Sequence, residues 1–380
     1  MNFRRIFMKR KTIEKFIFYA LNLFLGGCIG ILVGRFFPIN ATFIQKFSFY
    51  LILFCFFYFV LYFHIFIHEL GHLVFGLISG YKFSSIRFLS FIFFLENGKL
   101  KLKKLKLAGT GGQCLMIPPK LDGTSPVCLY NWGGCLANLI FSIIFLVVAC
   151  FSKSFPTLKV FFEIFSICGF IVAVTNGIPF KTLSNDGYNA ITLKKRFEAR
   201  KAFEKSLYIS KEIAGGKRIK DVDVDFCEYD EKFYDDNMVV MAAMQTLNYY
   251  VDKCEFEKAY EFCKKLYEKA FLIDIHKLVV ISELINSILL TDKDKSEIDQ
   301  IFTKENKSLL KKYKALPPVH RALYVYELLY NNNEENALKH KKDFEKIAKK
   351  YPYKQELVGE IEIMQLARTK FEEKNNSDLK

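Results

Sequence analysis

Hydrophobic and polar residues follow three different rhythms along this chain. In the first half, apolar residues run almost unbroken through four segments, about 16–33, 47–78, 132–150 and 160–176. Each is long enough to cross a hydrocarbon layer as a helix, and the second is unusually long. Between the second and third, SSIRFLSFIFFLENGKLKLKKLKL alternates partly at period two around Asn97 and Gly98, which predicts a β-hairpin. GTGGQCLMIPP then reads as a flexible edge. From about residue 195 the pattern becomes that of amphipathic helices joined by short polar turns. Three segments there, near 252, 292 and 331, each place a turn before such a helix and recur about every 40 residues, a tetratricopeptide-like spacing. A generic helical bundle fits this half nearly as well.

The patterning predicts a mainly α fold: a four-span polytopic membrane domain with a small β-hairpin, followed by an all-α soluble domain. The divisions fall at 1–46 (basic segment and first span), 47–190 (a core of three spans) and 191–380 (helical domain). In the first span, Gly26, Gly30 and Gly34 form a small-residue face. It is expected to pack against another helix of the chain, with self-association as the alternative. No small-residue cleavage site follows that span, so it reads as a retained helix and not a signal peptide.

Charge orients the spans. The chain of 380 residues carries a net +15. Its lysines and arginines lie beside the spans or on amphipathic helices, which favours a bilayer surface over nucleic acid. The N-terminus is basic, as is the middle loop with Lys82, Arg87, Lys99, Lys101, Lys103, Lys104 and Lys106; the opposite loops are sparsely charged. Both termini and the middle loop are therefore expected in the cytoplasm, as a multi-pass protein of the cell membrane. The ten cysteines show no CxxC pair and read as reduced thiols.

The chemistry sits in FIHELGH, residues 66–72. On a helix, His68 and His72 share a face one turn apart and can reach one metal ion, with Glu69 beside them as general base. At 1.5 Å per residue the pair lies roughly 15–20 Å along the helix from Lys82, within the hydrocarbon. A catalytic zinc needs a third protein ligand and an open position. Asp186, in NGIPFKTLSNDGYNA (176–190), is the candidate, with Gly187 permitting a tight turn and Asn176 and Pro179 breaking the fourth span. His64, one turn before His68, is a rival ligand, an outer partner of the ligands or a residue of the cavity wall. The last reading is preferred. DVDVDFCEYDEKF begins like a calcium loop, but Phe226 and Lys232 stand where glycine and a bidentate acid are needed, so it reads as a solvated acidic linker.

HELGH in a long apolar helix, the later NWGGCLANLI and a broken last span ending in NDG resemble the site-2 protease family of intramembrane zinc metalloproteases. The resemblance covers about residues 47–190. It implies Zn2+ held by His68, His72 and Asp186, with Glu69 activating water. Gly133, Gly134 and Asn138 are similar to a glycine and asparagine motif of the family, and Asn176 to an asparagine that faces its catalytic centre. The family holds that asparagine closer in sequence to its aspartate than Asn176 is to Asp186.

The expected activity is cleavage of a membrane protein's transmembrane segment, a leader-peptide remnant or a small peptide precursor. Gly111 and Gly112, at the edge after the hairpin, would line the substrate path, where a strand can accept an unwound segment by β-addition. A zincin with a glutamate third ligand would need an acid in an apolar span, and the nearest is Glu163. The alternative from another class is a non-catalytic membrane-anchored adaptor that uses its helical half to dock a protein partner.

Overall fold

The computed structural model describes residues 2–34, 42–96, 99–104, 111–181, 183–226, 228–291, 293–351 and 353–377. The long apolar runs form helices α1 (Asn2–Gly34), α2 (Phe43–Ile78), α3 (Cys128–Phe151) and α4 (Pro156–Gly177). Local signals set their ends. Thr42 and Gln45 close a capping box at the start of α2. Gly80, at φ 85°, ends that helix, with the Tyr81 amide returning to the Gly76 carbonyl at 3.0 Å. Pro156 opens α4, where a missing amide hydrogen costs nothing. Among the described residues, four helices are long and apolar enough to cross a membrane: Thr12–Gly34, Phe43–Ile78, Cys128–Phe151 and Pro156–Gly177. They expose large apolar side chains such as Phe47, Ile52, Phe54, Ile143 and Val147, as lipid-facing helices do.

Between α2 and α3 the middle loop is larger than a hairpin. Strands β1 (Lys82–Phe88), β2 (Phe91–Glu96), β3 (Lys99–Lys104) and β4 (Gly112–Ile117) form one sheet in the order β3-β2-β1-β4. The Asn97–Gly98 turn lies outside the described residues. The expected flexible edge is a correction: Gly112–Ile117 is a strand, antiparallel to β1 from Lys82↔Ile117 to Phe88↔Gly112. Its own alternation explains why, since Cys114 and Met116 are buried while Gln113 is exposed.

The chain divides into two compact units. One comprises Met1–Phe93, Lys106–Pro119 and Ser125–Phe197; the other comprises Phe94–Leu105, Lys120–Thr124 and Glu198–Lys380. In the first, α2 packs on α3, and α3 on α4 and on the short helix α5 (Asp186–Lys195). Glycines let backbones meet. A Cβ on Gly71 would collide with the Gly133 carbonyl, so no side chain fits at that crossing. Beside it, Val60, Ile164, Phe165 and Cys168 form an apolar cluster with Phe56, Phe63, Phe145 and Phe161. Phe145 and Phe165 stand 4.7 Å apart. Helix α1 joins this cluster through Ile29 and Val33. Its glycine face does not pack as expected: a Cβ on Gly26, Gly30 or Gly34 would have nothing within 4 Å, because the contact is made through the branched residues instead.

The second unit's helices are α6 (Phe197–Ala214), α7 (Asn237–Asp252), α8 (Phe256–Lys269), α9 (Asp274–Leu290), α10 (Glu297–Ile301), α11 (Lys304–Lys312), α12 (Pro317–Leu329), α13 (Glu334–Ala348) and α14 (Lys354–Ser377). Helix α9 runs through the core with Leu278, Val280, Ile281, Leu284, Ile285, Ile288 and Leu289 buried, against α8 and α12. Of the three recurring segments, two are single helices, α8 and α13. The middle one is two short helices, because Thr303 starts a new one by accepting the Asn306 amide at 3.2 Å. The fully buried Arg321 donates to both oxygens of Glu283, at 2.5 and 2.7 Å, and through Nε to Glu360 at 2.6 Å.

Candidate metal centre

Two side chains one helical turn apart meet a third from far along the chain, inside the first unit. His68 and His72 face one way from α2, and Asp186 reaches them from the first position of α5. The Asp186 Oδ2 atom is 2.9 Å from His68 Nε2 and 3.4 Å from His72 Nε2, and the two ring nitrogens are 3.2 Å apart. No other group of three such donors converges among the described residues. Four ligands placed tetrahedrally at about 2.0–2.1 Å from an ion stand about 3.3 Å from one another. The three separations match that spacing.

The surroundings hold each donor. His72 Nδ1 lies 2.8 Å from the Tyr130 carbonyl, which only accepts, so the ring donates there and turns Nε2 toward the cluster. Tyr130 is itself held, its hydroxyl donating to the Cys114 carbonyl at 2.8 Å. His68 Nδ1 lies 3.0 Å from the fully buried side-chain amide of Asn138. Gly134 admits the ring, since a Cβ there would stand 2.5 Å from His68 Cε1.

Asp186 is placed by its neighbour. Asn185 caps α5: its Oδ1 accepts from the amides of Tyr188 at 3.2 Å and Phe180 at 3.0 Å. Its Nδ2 donates to the carbonyls of Thr175 at 2.9 Å and Ile178 at 2.6 Å. These bonds close the break between α4 and α5 and set the carboxylate at a helix N-terminus, which favours negative charge. Gly187 serves differently from expectation. It lies inside α5, not in a turn, and a Cβ there would collide with the Gly177 carbonyl. It is small so that two helix ends can touch.

Glu69 is nearly buried, close enough to His68, His72, Asp186 and Arg87 to interact with them electrostatically. A Cβ on Gly112 would collide with its carboxylate, so the start of β4 rests directly on the glutamate. Arg87, 1% exposed, donates to the carbonyls of Leu89 and Gly112 at 2.8 and 3.1 Å and fixes that strand end.

Compared with protein-family models, with curated proteins and with solved structures, the chain matches none.

The structure brings His68, His72, Asp186, Glu69, Asn138 and Gly112 into one place. Gly111 lies against Ile65, at 3.0 Å from where its Cβ would be. The Asn176 Nδ2 donates to the Val172 carbonyl of its own helix at 2.9 Å. His64 is no cavity-wall residue. It is fully buried, with ring contacts to Phe63, Phe145 and Phe165. Glu163 pairs with Lys159 at 3.6 Å. The sequence reading missed Asn185 and Tyr130. Asn185 had a visible signal, an asparagine directly before a helix start. Tyr130 had none, because it acts through its backbone carbonyl.

Proposed function

We propose that this chain is an intramembrane zinc endopeptidase. The observation that carries the reading is the convergence of His68 Nε2, His72 Nε2 and Asp186 Oδ2 beside Glu69, in a helix long and apolar enough to cross a bilayer. Two neutral imidazoles and a carboxylate, with one position left open, form a donor set suited to catalytic zinc. A bound zinc ion supplies the Lewis acidity that polarises a carbonyl and acidifies water.

The chain's own residues do the rest. His68, His72 and Asp186 hold the ion, and Tyr130 and Asn138 fix the rings. Glu69 takes a proton from the attacking water and delivers it to the amide nitrogen of the leaving segment. Gly112 leaves the glutamate side chain room. The sheet next to Glu69 offers strand edges, and an unwound substrate segment laid along one would present its backbone to the site. Substrates are transmembrane segments, leader-peptide remnants or small peptide precursors. The distribution of lysine and arginine supports cytoplasmic termini and a cytoplasmic sheet, in the cell membrane. The helical unit docks substrate or a protein partner.

The test pairs zinc content with cleavage of a generic transmembrane peptide, using the full chain in detergent. Wild type is expected to hold one zinc and cut. Glu69→Gln should keep zinc and lose about 10²–10⁴-fold in cleavage, the usual worth of a general acid–base group. Asp186→Ala should lose zinc. A wild type that binds no zinc overturns the reading and leaves the membrane-anchored adaptor in its place.

A further inference from the structure

His64 belongs to a buried chain of hydrogen bonds that ends on a metal donor. Its Nε2 lies 2.8 Å from the Phe165 backbone carbonyl, and its Nδ1 lies 3.1 Å from the side-chain amide of Asn138. The other end of that amide lies 3.0 Å from His68 Nδ1. His64 and Asn138 are both 0% exposed, so water cannot supply a missing partner and every proton has to be placed within the chain.

Proton placement has one economical solution. The Phe165 carbonyl only accepts, so His64 Nε2 carries a hydrogen. A neutral imidazole then has a lone pair at Nδ1 and needs a donor, which is the Asn138 NH2. That turns the Asn138 oxygen toward His68, whose Nδ1 must carry the hydrogen, and leaves His68 Nε2 facing Asp186 at 2.9 Å and the metal position, where it shares a proton with the carboxylate until an ion takes its place.

As placed, the amide is the other way round, with Oδ1 toward His64 and Nδ2 toward His68. The two orientations differ by a half-turn of a nearly symmetric group. The placed one would require hydrogens on both His64 nitrogens. That is a cation among phenylalanine rings, where His64 forms no ion pair among the described residues. It would also put a hydrogen on His68 Nε2, where a metal needs a lone pair.

We propose that His64 is a positioning residue: by fixing the Asn138 amide, it holds His68 as the Nδ1–H tautomer and so presents Nε2 to the metal. This rests on the zinc reading for its purpose, but the proton arrangement itself does not need the ion. The two ligands are thus locked by different means. His72 is held by a backbone carbonyl, which cannot turn round. His68 is held by an amide, which can, and His64 removes that freedom.

The experiment uses the full chain in detergent with 15N-labelled histidine; the chain has six histidines, so assignment by substitution is practical. Ring 15N shifts report the tautomer of His68 in metal-free protein, and competition with a chromophoric chelator gives the Zn2+ dissociation constant. Wild type is expected to show His68 protonated at Nδ1. His64→Leu should move His68 toward the Nε2–H form and weaken Zn2+ binding about 10–100-fold, the usual cost of losing an outer partner. The double variant His64→Leu/Asn138→Asp supplies a group that only accepts and should restore both readouts without His64. An unchanged His68 tautomer in His64→Leu overturns the proposal. So does a loss in His64→Leu that the double variant fails to recover, since that marks a packing role. Failure of wild type to bind Zn2+ would instead overturn the protease reading, while the tautomer readout still decides this one.

Discussion

Two clusters of buried ionisable side chains in this molecule are built in different ways. In the helical unit, Arg321 stands between Glu283 and Glu360 with its donors spent on their carboxylates. In the membrane unit, two ring nitrogens and a carboxylate oxygen converge within 4.8 Å of one another, and the buried Arg87 interacts with the neighbouring Glu69. The first cluster carries its counter-charge in its side chains. The second, on the proposed reading, would take its counter-charge from a bound cation. Buried polar groups that satisfy one another are structural; buried donor atoms aimed at a common centre are a candidate binding site.

Removing the cation should separate the two most sharply. Arg321→Met leaves two carboxylates facing each other in the core, and should cost about 3–5 kcal/mol. Hydrogen exchange of α9, α12 and α14 in the full chain would show it, with α2 and α3 unaffected; unaltered protection of α9 would mean that the triad is not structural. Chelation should do the converse. Stripping zinc held at about 100 times its dissociation constant removes about 2.7 kcal/mol from the membrane unit. Exchange should then rise around His68 and Asp186 and stay constant in α9.

The smallest effect is on pH. Burial pushes the Glu360 carboxyl up to about 7, against the pull of Arg321 and with help from Glu283. The folded state thus holds a proton that the unfolded chain has released above about 4.5. Stability from this group is fully present below that value and lost as pH rises through 7, at up to about 1.4 kcal/mol per pH unit. Exchange of α14, corrected for its intrinsic pH dependence, should rise between pH 5 and 7.5, and Glu360→Gln should flatten the slope. An equal slope in the variant would assign the dependence elsewhere.

The same contrast explains what was legible in the sequence. The four spans are plain because apolar length alone defines them. His68, Glu69 and His72 are plain because a helix makes spacing into geometry. Asp186 needed the chemistry of a third ligand to pick it out. The strand character of Gly112–Ile117 was hidden by its glycines and flanking prolines, although Cys114 and Met116 alternate correctly. The glycine face of α1 misled, since small residues permit contact without compelling it. His64 was misjudged because its partners, Asn138 and the Phe165 carbonyl, come from two other helices that no local pattern connects to it. The Arg321 triad joins residues on α9, α12 and α14, and only packing reveals it.

The Asn185 clamp has a consequence for how Asp186 behaves. Its side chain holds backbone groups on both sides of the chain break, from Thr175 to Tyr188. Each of these bonds helps to fix the geometry the others need. Asp186 is therefore delivered as a unit with its whole connection. Asn185→Ala, a substitution that touches no metal donor, is expected to empty the site of zinc nearly as completely as losing Asp186 itself.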